Sequence, residues 1–539
     1  MTKLPESIDK IKHLRYLNLS STAIKRLPDS ICKLCNLQTL NLSGCKDLSV
    51  LPIEMQKLIN LRHLDISGTA IEEMPMQLGR LKCLQTLSKF IVSKHSGASI
   101  EELGNFANLR GKLSILELQN VVSPTDALKA CLKDRKYLEE LVLEWNASNI
   151  AECQISLLDN LRPHSNLKRL TINNYDGESL SDWVWHHSFS NIESLRLENC
   201  KRCHNLPPLG WLPCLKDLSV LGFEQVVKVD HEFYGSDSST VKPFGALQNL
   251  RFERMLNWEE WSSFGTENED GAFPLLEELY IYNCPKLKGG LPVHLPSLAK
   301  FEIHECPQLV ASLPRAPVVR ELKLRDCNEV LLKELPAKLR KLTIGGFDAL
   351  ESLPMGMVAS NNCLQPLEIS NCMKLELPTH SHFVSLETLR LEGCDSLKSF
   401  SLDLFPKLYD INIWNCKNIE SLTVSEQHGR DLVTLRNIEI CDCPNLVSFP
   451  KGGIRAPDLS FFLVSHCESL RSLPEKMHVL LPSLEFFHII SCPRIESFPE
   501  GGLPSNVKYL NVKICDKLFA KRAGWGLEKL FFFCSQLYK

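Results

Sequence analysis

Between residues 386 and 515 one nine-residue phrase recurs six times: LETLRLEGC, LYDINIWNC, LRNIEICDC, LSFFLVSHC, LEFFHIISC and VKYLNVKIC. As a rule it reads L-x-x-L-x-L-x-x-C, with Ile, Val or Phe admitted at the aliphatic places. Apolar and other residues alternate about the middle Leu, which is strand period, because successive side chains of a strand point to opposite faces. A second apolar pair follows in several copies, as at Leu397 and Phe400, Ile419 and Leu422, Leu446 and Phe449. One copy cannot bury both sets, so copies must stack.

Aligned to the whole chain, the rule finds 21 strand starts: 14, 37, 61, 84, 113, 138, 167, 192, 215, 247, 276, 298, 319, 339, 364, 386, 408, 435, 459, 484 and 507. The mean step, (507 − 14)/20, is about 25 residues, inside the leucine-rich-repeat window. The expected fold is therefore an α/β leucine-rich-repeat solenoid, a curved horseshoe. One continuous parallel β-sheet would line its concave face, with irregular loops and short helical turns on the convex face. Four zones are expected. Residues 1–90 are regular repeats beginning in mid-repeat, and 91–275 are irregular repeats with polar insertions at Gly235–Thr240 and Gly265–Gly271. Residues 276–518 are regular again, and 519–539 form a non-repeat tail. Pro366 falls on a strand and removes one ladder donor.

Twenty-two cysteines invite disulfide or zinc readings, but twelve of them occupy the ninth place of the repeat, from Cys45 to Cys515. A small buried thiol fills the bend there, once per coil, which predicts reduced core residues and a cytoplasmic chain. The C-x-x-C pairs Cys32/Cys35 and Cys200/Cys203 lack a second pair at zinc spacing, so no metal is expected. A net charge of −3 gives no electrostatic case for nucleic acid. Charge is uneven, however: residues 1–95 carry 14 Lys/Arg against 8 Asp/Glu, and residues 96–280 carry 17 against 28. No apolar run reaches the roughly 18 residues of a membrane span.

The residues HLRYLNLSSTAIKRLPDSICKLCNLQTLNLSGCKDLSVLP (13–52) resemble the leucine-rich part of plant nucleotide-binding leucine-rich-repeat disease-resistance proteins, particularly their coiled-coil class. The resemblance continues through LQTLSKFIVS (84–93), LRFERMLNWEEW (250–261) and LEELYIYNCPKLKGGLP (276–292), and covers residues 4–518. It implies an intracellular immune sensor in plant defence. Its repeats would bind pathogen effectors or guarded host proteins and contact the receptor's nucleotide-binding domain. The P-loop of that domain is absent: Gly104 to Lys112 has six residues between its glycines, and Leu113 stands where a hydroxyl is needed. No cofactor is expected in this chain, and ADP or ATP would belong to a nucleotide-binding domain outside it. The alternative is a repeat-only protein-interaction adaptor, such as a ubiquitin-ligase substrate receptor. A cell-surface receptor ectodomain is a further rival.

Neither a G-x-S-x-G elbow nor an H-E-x-x-H helix occurs, so an enzyme is not expected. Binding is better specified. The residues flanking the middle Leu point outward, and most of these pairs are polar, as at Arg169/Thr171, Thr388/Arg390 and Asp410/Asn412. The last three coils change character, reading Phe461/Leu463, Phe486/His488 and Tyr509/Asn511. Phe461, Phe486 and Tyr509 are expected to stack as an aromatic column at strand spacing, making Phe461, Leu463, Phe486, His488 and Tyr509 the candidate partner site. Against this stands a cap formed by the tail, with Trp525 and Phe531 to Phe533 folded over the rings. A second candidate is the basic face of Arg15, Lys25, Arg26, Arg62 and His63, which could meet an acidic surface; in the resembled family the N-terminal coils dock on the nucleotide-binding domain. Trp414 and Tyr282 are expected to be packed rim residues just past their strands.

Overall fold

The computed structural model describes every residue except 95–96, 147–153, 236–241, 263, 265–270, 354–362, 378–382, 425–430, 523–524, 526–531 and 535–539. Most of both polar insertions lies outside the described residues. The chain divides into two compact units, Met1–Pro296 and Ser297–Lys539. Both follow one plan, in which each coil contributes a short strand paired in parallel with those of the adjacent coils. This is the leucine-rich-repeat solenoid.

In the first unit, Tyr16–Asn18, Thr39–Asn41, His63–Asp65 and Thr86–Leu87 form one ladder. A second ladder opens at Lys89–Ile91 and runs through Arg110–Leu116, Tyr137–Glu144, Arg169–Asn173, Ser194–Glu198, Asp217–Leu221, Asn249–Glu253 and Glu278–Tyr282. The expectation of an unbroken ladder fails at Ser88. An extra residue separates Leu87, paired with Leu64, from Phe90, paired with Ile115. The Ile66 amide there donates to the Ser88 hydroxyl at 2.8 Å instead of a backbone carbonyl. The next coil is shifted for a related reason. The register against Tyr137–Glu144 shifts after Gly111, at φ +74°, where Glu139 is skipped, so Leu113 pairs with Leu141 and Ile115 with Leu143. The repeat of that coil therefore begins before residue 113, and its outward residues are Lys112 and Ser114.

The second unit carries Lys300–Cys306, Glu321–Cys327, Lys341–Gly345, Pro366–Ser370, Thr388–Glu392, Asp410–Trp414, Asn437–Cys441, Phe461–Ser465, Phe486–Ile490, Tyr509–Lys513 and Phe532–Cys534. Each strand in this series pairs in parallel with the next. Pro366 opens its strand, and pairing with the preceding strand starts only at Leu342 with Leu367, as the missing N–H requires. Leu342, Leu367, Leu389, Ile411, Ile438, Phe462, Phe487 and Leu510 stand in register and are buried, so each coil supplies one rung of a shared core.

Two local devices hold the coils. The residue before the ninth-place cysteine turns left-handed in coil after coil: Asn199, Asn283, Asp326, Asn371, Gly393, Asn415 and Asp442 all have positive φ, near +50° to +60°. Asn, Asp and Gly are the residues that tolerate this conformation. The buried thiol that follows points back toward the strand's carbonyls, as Cys443 does to Cys441 O at 3.3 Å and Cys515 to Lys513 O at 3.2 Å. Ahead of the strands, asparagine amides reach the carbonyl of the previous coil: Asn36 to Lys12 O at 2.9 Å, Asn60 to Cys35 O at 2.8 Å and Asn506 to Pro482 O at 2.7 Å. On the other side of the coils, the expected helical turns are 3₁₀ turns, Glu6–Lys10 and Asp29–Lys33.

Candidate protein-recognition surface

Strand alternation decides what the sheet shows to solvent. Leu170 and Ile172 are buried while Arg169 is exposed and Thr171 and Asn173 are half-buried. The outward residues then pair across coils. In the first unit Glu140 accepts from Lys112 at 2.6 Å and from Arg169 at 3.0 Å. Burial opposes ionisation of Glu140, but these two cations hold its carboxyl below the usual range. In the second unit Lys341 meets Glu368 at 3.2 Å, and Thr343 donates to the same carboxylate at 3.0 Å.

The C-terminal candidate residues do come together on this face. Phe461, Phe486 and Tyr509 occupy one register row, with Leu463, His488 and Asn511 in the row beside it. The rings do not stack directly down the row. Phe461 rests against His488, centroids 5.2 Å apart, and His488 rests against Tyr509 at 5.1 Å. Phe486 contacts Tyr509 at 6.3 Å and is 43% exposed. A histidine therefore bridges two neighbouring strands, because its ring leans diagonally from the adjacent row. The Asn511 amide and His488 Nδ1 are 3.2 Å apart, and burial, then Lys513, lowers the His488 pKa from its usual value.

In the tail, Trp525 packs edge-on against Phe498 at 5.2 Å and Phe519 at 6.2 Å. The Phe532–Cys534 backbone pairs in register with Tyr509–Asn511, extending the sheet by one strand. Phe531 and the side chains of Phe532 and Phe533, which the expected cap would use, lie outside what is described.

The basic candidates separate. Arg15 and Arg62 are exposed at the start of their strands, but Gln38 stands between them in the same column, its amide on Arg15 O and its carbonyl accepting from Arg62. His63 faces outward, its Nδ1 3.0 Å from Thr86 Oγ1. Lys25 and Arg26 belong to the returning segment of the first coil, where Arg26 bridges Val50. The five residues thus do not form one patch.

Trp414 is the residue the sequence reading misplaced. It is the last residue of its strand, outward-facing and 46% exposed, and it lines a cavity of about 390 Å³ with Glu368, Arg390, Asp410, Asn412 and Glu439. Its even spacing from Asp410 and Asn412 was the signal that could have placed it there.

Residues 100–223 match the R13L1/DRL21 LRR family, and residues 13–34 and 36–58 match the Leucine Rich Repeat family. The disease resistance protein At3g14460 of Arabidopsis thaliana is 32% identical over 98% of this chain, and the disease resistance RPP13-like protein 1 of the same plant is 34% identical over 72%. The chain is a leucine-rich-repeat relative of plant disease resistance proteins. It spans 51% of the length of the first of these relatives and 32% of the second. Among solved structures, the crystal structure of the TLR13–ssRNA13 complex superposes with a TM-score of 0.52 over 99% of this chain and 80% of that one. At 15% identity that likeness is one of fold alone. Among the described residues of this leucine-rich-repeat chain, no group of three or more His, Cys, Asp or Glu is placed to hold a metal ion. Among the same residues, no helix is long and apolar enough to cross a membrane.

Proposed function

We propose that this chain is a sensing region in plant defence, binding a pathogen effector or a guarded host protein through the outward side of its parallel sheet. The observation that carries this reading is the row Phe461, Phe486 and Tyr509 with His488 between, an aromatic surface on adjacent strands in which Phe486 is 43% exposed. Apolar surface of this kind, on a sheet whose other outward residues are mostly polar, is where binding energy concentrates. The disease resistance names of its relatives supply the biological setting. Restraint of a nucleotide-binding domain would use the N-terminal coils, with Arg15 and Arg62 as the cations that remain on one column. ATP or ADP binding belongs to that domain, and this chain works in the cytoplasm without catalysis.

The test is capture of proteins from an effector panel by the purified chain and by its Phe486→Ala, Tyr509→Ala double variant. Capture by the parent, loss in the variant and unchanged melting support the site, and equal capture by both rejects it. Binding of the chain to the half of At3g14460 that it does not span, weakened by Arg15→Glu with Arg62→Glu, would support the docking role. Binding indifferent to that charge reversal would reject it.

A further inference from the structure

The aromatic row has a charged neighbour. Asn437 is in register with Phe461 and Glu439 with Leu463, so the ring row adjoins the wall of the Trp414 cavity. Four carboxylates line that cavity, Glu368, Glu392, Asp410 and Glu439, against two guanidinium groups, Arg325 and Arg390. Glu368 is already engaged by Lys341 and Thr343, with Arg390 more distant at 3.9 Å. Asp410 accepts from Asn412 at 3.0 Å. Glu439 makes no ion pair among the described residues. Burial, then Asp410, pushes its carboxyl above the usual range against the pull of Arg390. The potential here is left negative, and the exposed Trp414 ring offers a face on which a cation is stabilised.

A space of about 390 Å³ is far larger than a bare metal ion needs, and the carboxylates repel phosphates. Three strand steps of about 4.8 Å separate the Asp410 strand from the Phe486 strand, roughly 14 Å, or about four residues of extended chain at about 3.3 Å each. We propose that this face takes a protein segment whose arginine or lysine enters the cavity between Asp410, Trp414 and Glu439, while an apolar side chain about four residues away lies on Phe461, Phe486 and His488. The inference rests on the recognition function proposed above and names the chemistry of the partner. Charge complementarity selects the cation, and the adjacent rings require that it arrive on a chain that also carries an apolar group.

The experiment uses the full chain and fluorescein-labelled twelve-residue peptides on a Gly/Ser scaffold. One carries Arg and Leu four residues apart, one carries Glu in place of Arg, and one carries Ser in place of Leu. By anisotropy, the Arg/Leu peptide should bind at least tenfold more tightly than the Glu/Leu peptide. Glu439→Lys should invert that preference, while Glu439→Gln merely reduces it with unchanged circular dichroism. Phe486→Ser should weaken the Arg/Leu peptide and leave the Arg/Ser peptide unaffected. Absence of saturable binding, equal affinities, or a preference untouched by Glu439→Lys would overturn the proposal. So would concentration-dependent dimerisation lost in Phe486→Ser, which would give the face to a second copy. If Glu439→Lys leaves effector capture intact while Phe486→Ala, Tyr509→Ala abolishes it, recognition by the rings stands and the cation site falls.

Discussion

Replacing Leu389 by Ala tests the rung geometry on which the sheet depends. Leu389 is fully buried, with Leu367 and Ile411 as its register partners. Truncation removes three carbons, worth about 2.4 kcal/mol at about 0.8 kcal/mol each. The void cannot close readily, because the ladder fixes the neighbouring rungs at about 4.8 Å on either side. A residual cavity adds to the transfer loss, so the expected cost is about 3–4 kcal/mol, within the usual range of about 2–5 for such truncations. The second unit has 243 residues, from 539 − 296. At about 2–4 °C per kcal/mol for a unit of that size, its melting temperature should fall by roughly 6–16 °C. Nearest-neighbour coupling in a solenoid confines the damage, so amide exchange should accelerate most in the Pro366–Ser370, Thr388–Glu392 and Asp410–Trp414 strands. The adjacent Arg390→Ala is the control: its side chain is 57% exposed and its pair with Glu368 spans 3.9 Å, so it should cost less than about 0.5 kcal/mol. A Leu389→Ala chain that melts with the parent, or an Arg390→Ala chain that melts as early as Leu389→Ala, would refute the inward and outward assignment.

Ile514, a β-branched residue, holds the left-handed bend at φ +51°, where most other coils use Asn, Asp or Gly and some use a residue such as Glu305, His466 or Ser491, and its side chain is exposed. Ile514→Asn should therefore stabilise the second unit by about 1 kcal/mol, read as a raised denaturant midpoint; a lowered midpoint would contradict the strain. At pH 8 a thiol reagent should modify the exposed Cys35, Cys83, Cys214 and Cys363 of the folded chain and reach the ladder thiols only on unfolding. Burial pushes the Cys327 and Cys443 thiols up to about 12 from 9.0, so the folded state resists losing protons that the unfolded state releases. Their contribution is complete below pH 9 and declines as pH rises toward 12; stability that climbs over that interval would contradict it. His304 is held down to about 4 from 6.5, chiefly by burial and then by Lys323. Its contribution is complete above pH 6.5 and is lost as pH falls toward 4, and His304→Gln should flatten the acid limb of a melting-temperature profile.

The aliphatic rule made the rungs legible, since register in a parallel ladder leaves no freedom once Leu389 must face Leu367 and Ile411. It could not locate insertions within a strand. Ser88 adds one residue between aliphatic positions, and the pairing after Gly111 skips Glu139; only the hydroxyl that replaces a carbonyl, or the shifted register itself, reveals where the pattern slips. Side-chain lean was equally hidden. Sequence alignment put Phe461, Phe486 and Tyr509 in a row, but the ring of His488, one row over, came between Phe461 and Tyr509. Trp414 was misread because the rule was counted from its aliphatic places, and the fifth residue of the strand, still outward by alternation, was treated as rim.

Interleaving inward and outward residues along each strand lets stability and recognition vary almost independently. A buried aliphatic carries several kcal/mol, while an exposed outward residue carries a few tenths. The ladder also fixes the Cα positions of the outward row, so the backbone order that a binding loop would lose on association is already lost on folding. The separation is incomplete where outward polar side chains are themselves buried, as Thr343, Asn412 and Asn511 are. Thr343 supports Glu368 and Asn412 supports Asp410, both in the cavity wall, and Asn511 meets His488 in the ring row. At these three places a change in what the surface binds also alters how the sheet is held. The recognition chemistry of the second unit should therefore be least free to drift where its polar residues are most buried.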